Sequence, residues 1–309
     1  MKKAYPPSSL LDVYSWVGKS TLSLWPLLIV KLLFLILQYV ALFFCLVLLL
    51  GPFFSRNSSK LMEGLSNPKN YDWSPVLSDW SSTLTDPGWI VIGMAVLFLY
   101  VTWWCLLSAV EDGGVYGTFW DFFIEGRLFS WKVFFEKGFH FVFPMIWLQL
   151  YLSLWFLAVF MVWVIVALVA VGIMALTGFN MAFGIALGLM LGIPAVIFWI
   201  VFALCFGVFT FLSKAYLTQG KQAGEAVRLA FAKFKANGWK VGIGLLVAFI
   251  TYIAVSVGFR MVLGLFSLIP FIGLLFSLLD MLVGCVLALF IMIYLSGLSV
   301  AYLQDEAAI

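Results

Sequence analysis

Charge is what this sequence has least of. Only 10% of its 309 residues are Asp, Glu, Lys or Arg, against about a quarter in soluble domains. With 65% hydrophobic residues and a mean hydropathy of +1.14, a water-soluble fold could not hide its own apolar surface. The bilayer must be its main solvent. A single histidine, His140, excludes a multi-histidine metal site. The four cysteines, Cys45, Cys105, Cys205 and Cys285, each lie alone in a different apolar segment with no CxxC spacing. They read as small core residues, with no disulfide framework or metal site. P-loop, HExxH, GxSxG and dinucleotide signatures are missing too. The expectation is therefore no catalytic residue, no cofactor and no metal. The net charge of +3 is too small to argue for nucleic acid. No cleavable signal is expected, because the first apolar run is too long for a signal core and has no small-x-small exit.

What the chain does have is long apolar runs and aromatic rings, the latter 18% of residues with 14 Trp, suited to headgroup depth. A helix needs about 20 apolar residues to cross about 30 Å of hydrocarbon. Six stretches meet that length: 24–50, 89–110, 141–171, 182–212, 241–266 and 271–303. Pro194, inside the fourth, is a candidate kink. Twelve Lys and Arg fall on the side of the termini, including Lys19, Arg127, Lys137, Lys214 and Lys240. The other side has Arg56, Lys60 and Lys69, with Arg260 near its boundary. The positive-inside rule then places both termini in the cytoplasm. In the outer loop, 55–88, Trp73, Val76, Leu77, Trp80 and Leu84 recur at helical spacing after Ser74-Pro75. That pattern predicts a short helix on the outer membrane surface.

Three charged amphipathic stretches, 9–19, 119–137 and 221–240, each lead into a pair of apolar runs. Lys19 and Lys137 stand equally far before Pro26 and Pro144, and the third copy ends at Asn237-Gly238 without a proline. Each stretch is expected to lie flat at the cytoplasmic interface and turn upward at Trp-Pro, Phe-Pro or Asn-Gly. The fold class that follows is an all-α integral membrane protein in one domain, 1–309. Its six transmembrane helices form three elbow-helix plus hairpin repeats, 8–110, 116–212 and 220–303.

The run from Gly220 through Glu225-Ala226-Val227-Arg228 to Asn237-Gly238-Trp239-Lys240, with weaker support from Gly126–Pro144, resembles a group of six-span bacterial and archaeal membrane proteins. The group includes the YciC-like proteins and the membrane domain that accompanies some glycerophosphodiester phosphodiesterases. The resemblance covers layout. It implies this fold and the cytoplasmic (inner) membrane, and transfers no catalytic residue.

Three constellations could carry function. Asp280 lies about ten residues into the sixth run and Arg260 just before the preceding outer turn, about 6 Å apart in depth across a hairpin. They read as a structural pair, a proton- or ion-coupled transport site, or a snorkelling Arg beside an unrelated acid. Lys31 sits just inside the first run, and Glu111 and Asp112 end the second on the same side. A structural pairing and a lipid-headgroup site both fit them. Gln149 is expected to hydrogen-bond between helices. Gly184, Gly188 and Gly192 form GxxxGxxxG, a face for another helix of this chain or for a second copy. The basic run 221–240 could hold anionic lipid or act only as a positive-inside anchor. Expected partners are membrane lipids and another membrane protein or a homo-oligomer. The functions that fit are a non-enzymatic partner, assembly or lipid-organising component, or a transporter or lipid conduit around Asp280 and Arg260. A lipid enzyme using Glu111, Asp112 and Asp121 is the third and weakest class.

Overall fold

The computed structural model describes residues 10–66, 71–176, 181–266 and 272–307, apart from some side chains within the helices, those of 181–189 and 262–266 among them. The described residues form nine α-helices and no strand. They are α1 (Leu10–Ser23), α2 (Pro26–Ser66), α3 (Ser74–Thr85), α4 (Pro87–Glu125), α5 (Trp131–His140), α6 (Val142–Leu176), α7 (Met181–Thr218), α8 (Ala223–Phe266) and α9 (Ile272–Ala307). Five described helical stretches are long and apolar enough to cross a membrane: Pro26–Ser66, Pro87–Glu125, Val142–Ala175, Gly192–Thr218 and Leu279–Leu303. The chain is thus an all-helical, multi-pass membrane protein. The run 241–266 is the second half of α8, where many side chains lie outside the described residues.

Helix ends follow local chemistry. Near the end of α1 the hydroxyls of Ser20, Thr21 and Ser23 turn back onto the carbonyls of Trp16, Val17 and Ser20 at 2.7–2.8 Å. Pro26, which has no N–H to give, then opens α2 after a turn at Leu24-Trp25. The second elbow closes at Phe141, whose N–H donates to the Lys137 carbonyl at 3.1 Å. Lys137 and His140 stand in the last turn of α5, where positive charge complements the helix dipole.

Two expectations about the elbows change. The stretch 119–137 is divided: α4 runs on to Glu125, Gly126 takes φ +68°, and α5 starts at Trp131. A left-handed glycine is an ordinary helix terminator. The turn at Asn237-Gly238 does not form, and α8 passes through it unbroken. One glycine costs a helix only about 1 kcal/mol, and no proline stands there to remove a hydrogen bond. α7 likewise runs through Pro194. At 1.5 Å per residue, α2 and α4 are each about 60 Å long, twice the hydrocarbon thickness.

Two compact units divide the chain: 1–30 with 109–309, and 31–108. In the smaller one, α3 forms where Ser74-Pro75 and the Trp73–Leu84 spacing place it. Its start is held by Asp72, whose carboxylate accepts from the Ser74 N–H and hydroxyl, both at 2.9 Å. Trp80 meets Phe53 edge-on at 4.6 Å. Lys60 bridges to Asp79 at 2.7 Å.

In the larger unit the buried core lies toward the helix ends that adjoin α1 and α5. It draws on Leu24, Phe119, Phe134, Met145, Leu212, Ala230 and Leu298, each 0% exposed. Farther along, side chains such as Leu154, Leu168 and Val196 are at least 60% exposed, as suits a surface wetted by hydrocarbon. There α6 and α7 are zipped by rings, with Phe156 against Trp199 and Phe202 at 5.9 and 6.0 Å and Trp163 against Phe198 at 5.2 Å.

Candidate functional site

One close helix approach of the larger unit falls at Gly113, Gly114 and Gly117 of α4. A Cβ at Gly113 would stand 3.2 Å from the Gly138 carbonyl oxygen, and one at Gly114 only 2.5 Å from the Phe134 ring. A Cβ at Gly138 of α5 would come to 2.7 Å from the Val110 carbonyl oxygen. Backbone lies against backbone here, and only glycine permits it. Gly192 behaves differently: among the described residues nothing lies within 4 Å of where its Cβ would be. Gly184 and Gly188 belong to the part of α7 described by its backbone alone.

Beside the α4–α5 contact the charged groups of the larger unit close on one another. Lys214 of α7 donates to Asp112 Oδ2 at 2.5 Å, with side-chain exposures of 17% and 14%. Gln149 Nε2 of α6 reaches the same oxygen at 3.5 Å. Asp121 is held by Lys137 at 3.3 Å. Trp120 donates its indole N–H to Thr218 at 3.0 Å, and the Tyr14 hydroxyl donates to the Lys240 carbonyl at 2.8 Å. Such pairs add little net stability, because both charges are dehydrated to make them. Removing one partner is costly, since the other stays behind unpaired. They therefore set register between helices.

Of the expected polar cluster, Asp112 is thus placed with Lys214 and Gln149. Glu111 lies half-buried one residue earlier, and Lys31 is buried in the smaller unit. Lys214 figured in the sequence only as one positive-inside charge. Its signal was depth, since it follows the fourth apolar run as closely as Asp112 follows the second. Asp280 is half-buried in α9, while the Arg260 side chain lies outside the described residues, and the pairing of the two with it. Among the described residues no three His, Cys, Asp or Glu side chains converge as a metal site would need.

An open cleft runs between α6, α7 and α8. Trp155, Phe202, Phe206, Phe231 and Phe234 line it with Arg228 at its rim, around about 480 Å³. A second hollow of about 630 Å³ adjoins it, formed by His140, Trp147, Lys221 and Gln222. Gly224 lines both. Gly220, at φ +87°, ends α7 and turns the chain so that Lys221 and Gln222 lie directly before the first turn of α8. The arrangement presents cations and helix-terminal N–H groups at one end and aromatic surface at the other.

Comparison with protein-family models, curated proteins and solved structures finds no match for this chain.

Proposed function

We propose that this chain is a non-enzymatic protein of the cytoplasmic membrane that organises lipid, acting as a scaffold or assembly component of the cell envelope. One observation carries the reading. Asp112, Lys214 and Asp121, each with less than a fifth of its side chain exposed, are spent on one another and on Lys137, while an aromatic cleft lined in part by Arg228 stands open. Carboxylates tied this way are poor general bases or metal ligands. An aromatic cleft open to hydrocarbon suits an acyl chain. In this reading the YciC-like layout applies, with the run 241–266 as a sixth span and both termini cytoplasmic. The three repeats then place α1, α5 and the start of α8 at the inner interface, with α3 on the outer surface.

A second reading, a transporter or lipid conduit, rests on Asp280, half-buried within an apolar helix. Growth and lipid composition of a deletion strain separate the two. The strain is complemented with wild type, Asp280→Asn and Asp280→Leu. The scaffold reading expects Asp280→Leu to restore growth and lipid profile. Variants that insert and localise normally yet both fail to complement would transfer the function to the acid and overturn the scaffold.

A further inference from the structure

We infer that the two neighbouring cavities at the start of α8 form a site for one anionic phospholipid. Its phosphate is held by Arg228, with the Lys221–Glu225 pair at the polar edge, and an acyl chain lies in the aromatic cleft. The inference rests on the lipid-organising reading and gives it a ligand class and an address.

The amphipathic pattern of α8 is split in a way that builds this site. Ala226 and Ala230 are fully buried against the core. Val227, Phe231 and Phe234 instead line the cleft, and Phe231 is left 62% exposed. Arg228, exposed, lines the aromatic cleft. Glu225 takes Lys221 as its i,i+4 partner at 3.5 Å, whereas Arg228 has no acidic partner among the described residues. The rim is therefore net cationic, and His140, Ala223 and Gly224 line the polar hollow beside it. A soluble phosphate compound would use the polar half and leave the aromatic half empty. A zwitterionic lipid would fill the aromatic half but bring its own cation to a rim that is already cationic. An anionic phospholipid satisfies both halves, and Gly224 lines both cavities.

Native mass spectrometry of the detergent-purified chain tests this. The probes are phosphatidylglycerol and phosphatidylcholine with identical acyl chains, and the proteins are wild type, Arg228→Gln and Phe231→Ala, with Lys60→Gln as a remote charge control. Phosphatidylglycerol should bind at least about fivefold more tightly than phosphatidylcholine, the value of one cation near a lipid surface. Arg228→Gln should remove about that factor, Phe231→Ala should weaken both lipids alike, and Lys60→Gln should change neither. Arg228 is exposed, so its variant leaves the core untouched and keeps the test valid even if Phe231→Ala misfolds.

Equal binding of the two lipids, or unchanged selectivity in Arg228→Gln, would overturn the site. Displacement of the lipid by glycerol 3-phosphate would reassign the polar half to a soluble phosphate compound. Loss of a dimer in Phe231→Ala with lipid binding intact would give the cleft to a second copy. Complementation by Arg228→Gln separates this inference from the function reading. A variant that has lost the lipid yet still complements confirms the site and overturns lipid organisation as the function.

Discussion

Gly138→Ala is the sharpest test of the packing described here. A methyl group at this position would stand 2.7 Å from the Val110 carbonyl oxygen and 3.1 Å from a Val110 side-chain carbon. Ordinary carbon contacts begin near 3.5 Å, so α5 would have to withdraw from α4 by more than half an ångström. The obstacle is backbone and cannot rotate away. Overpacking of this kind costs about 1–3 kcal/mol, against a gain of up to about 1 kcal/mol from replacing glycine in a helix. The net expectation is a loss of about 1–2 kcal/mol, a fall of roughly 5 °C in the unfolding midpoint. Gly18→Ala supplies the contrast. Nothing stands within 4 Å of that position, so helix propensity should act alone and raise the midpoint by a few degrees. Both are read from thermal unfolding in one detergent, followed by tryptophan fluorescence. A Gly138→Ala protein that unfolds at or above wild type would refute the backbone contact between α4 and α5.

Three further outcomes follow from the same coordinates. Lys214→Met should destabilise by about 3–5 kcal/mol, because Asp112 remains as an unpaired buried charge, while Asp112→Leu with Lys214→Met should recover much of that loss. Additive effects in this double-mutant cycle would mean the pair does not couple. Lys60→Gln should cost no more than about 1 kcal/mol, since both partners of the Lys60–Asp79 bridge are nearly half exposed; a larger fall in the midpoint would contradict that. The Ser74 backbone N–H and then its hydroxyl hold Asp72 below its ordinary pKa of 3.8. Its support for α3 should therefore be complete above that value and be lost as pH falls through the depressed one. Amide exchange at Val76 and Leu77 followed down to acid pH reads this, and protection lost already near neutrality would contradict the cap.

Parts of the architecture were legible because the signals are local. Pro26 and Pro144 mark the turns after α1 and α5, since a proline in the first helical turn removes no hydrogen bond. Ser74-Pro75 with the Trp73–Leu84 spacing marks α3. Helix lengths were less legible. Hydropathy reports contact with hydrocarbon, whereas α2 and α4 keep their backbone hydrogen bonds well past their apolar cores, to Ser66 and Glu125. Asn237-Gly238 reads as a turn, yet a chain flanked by helix formers absorbs it. The glycine stripe of α7 is the more regular pattern, yet close approaches occur at Gly113-Gly114-Gly117, Gly244 and Gly297. Lys214 and Asp112 are 102 positions apart, and no local pattern can announce such a partner. The aromatic cleft had a partial signal in the Val227–Phe234 periodicity, which described a face of α8 without saying what the face meets.

A protein that organises lipid as proposed holds it without moving it across the bilayer, and reconstitution separates the two. Vesicles containing the purified chain and a trace of head-labelled fluorescent phospholipid are treated with a membrane-impermeant reductant. Inner-leaflet label should stay protected to the same extent as in protein-free vesicles, with Asp280→Asn indistinguishable from wild type. Loss of that protection with wild-type protein, restored by Asp280→Asn, would contradict the proposal and establish a conduit.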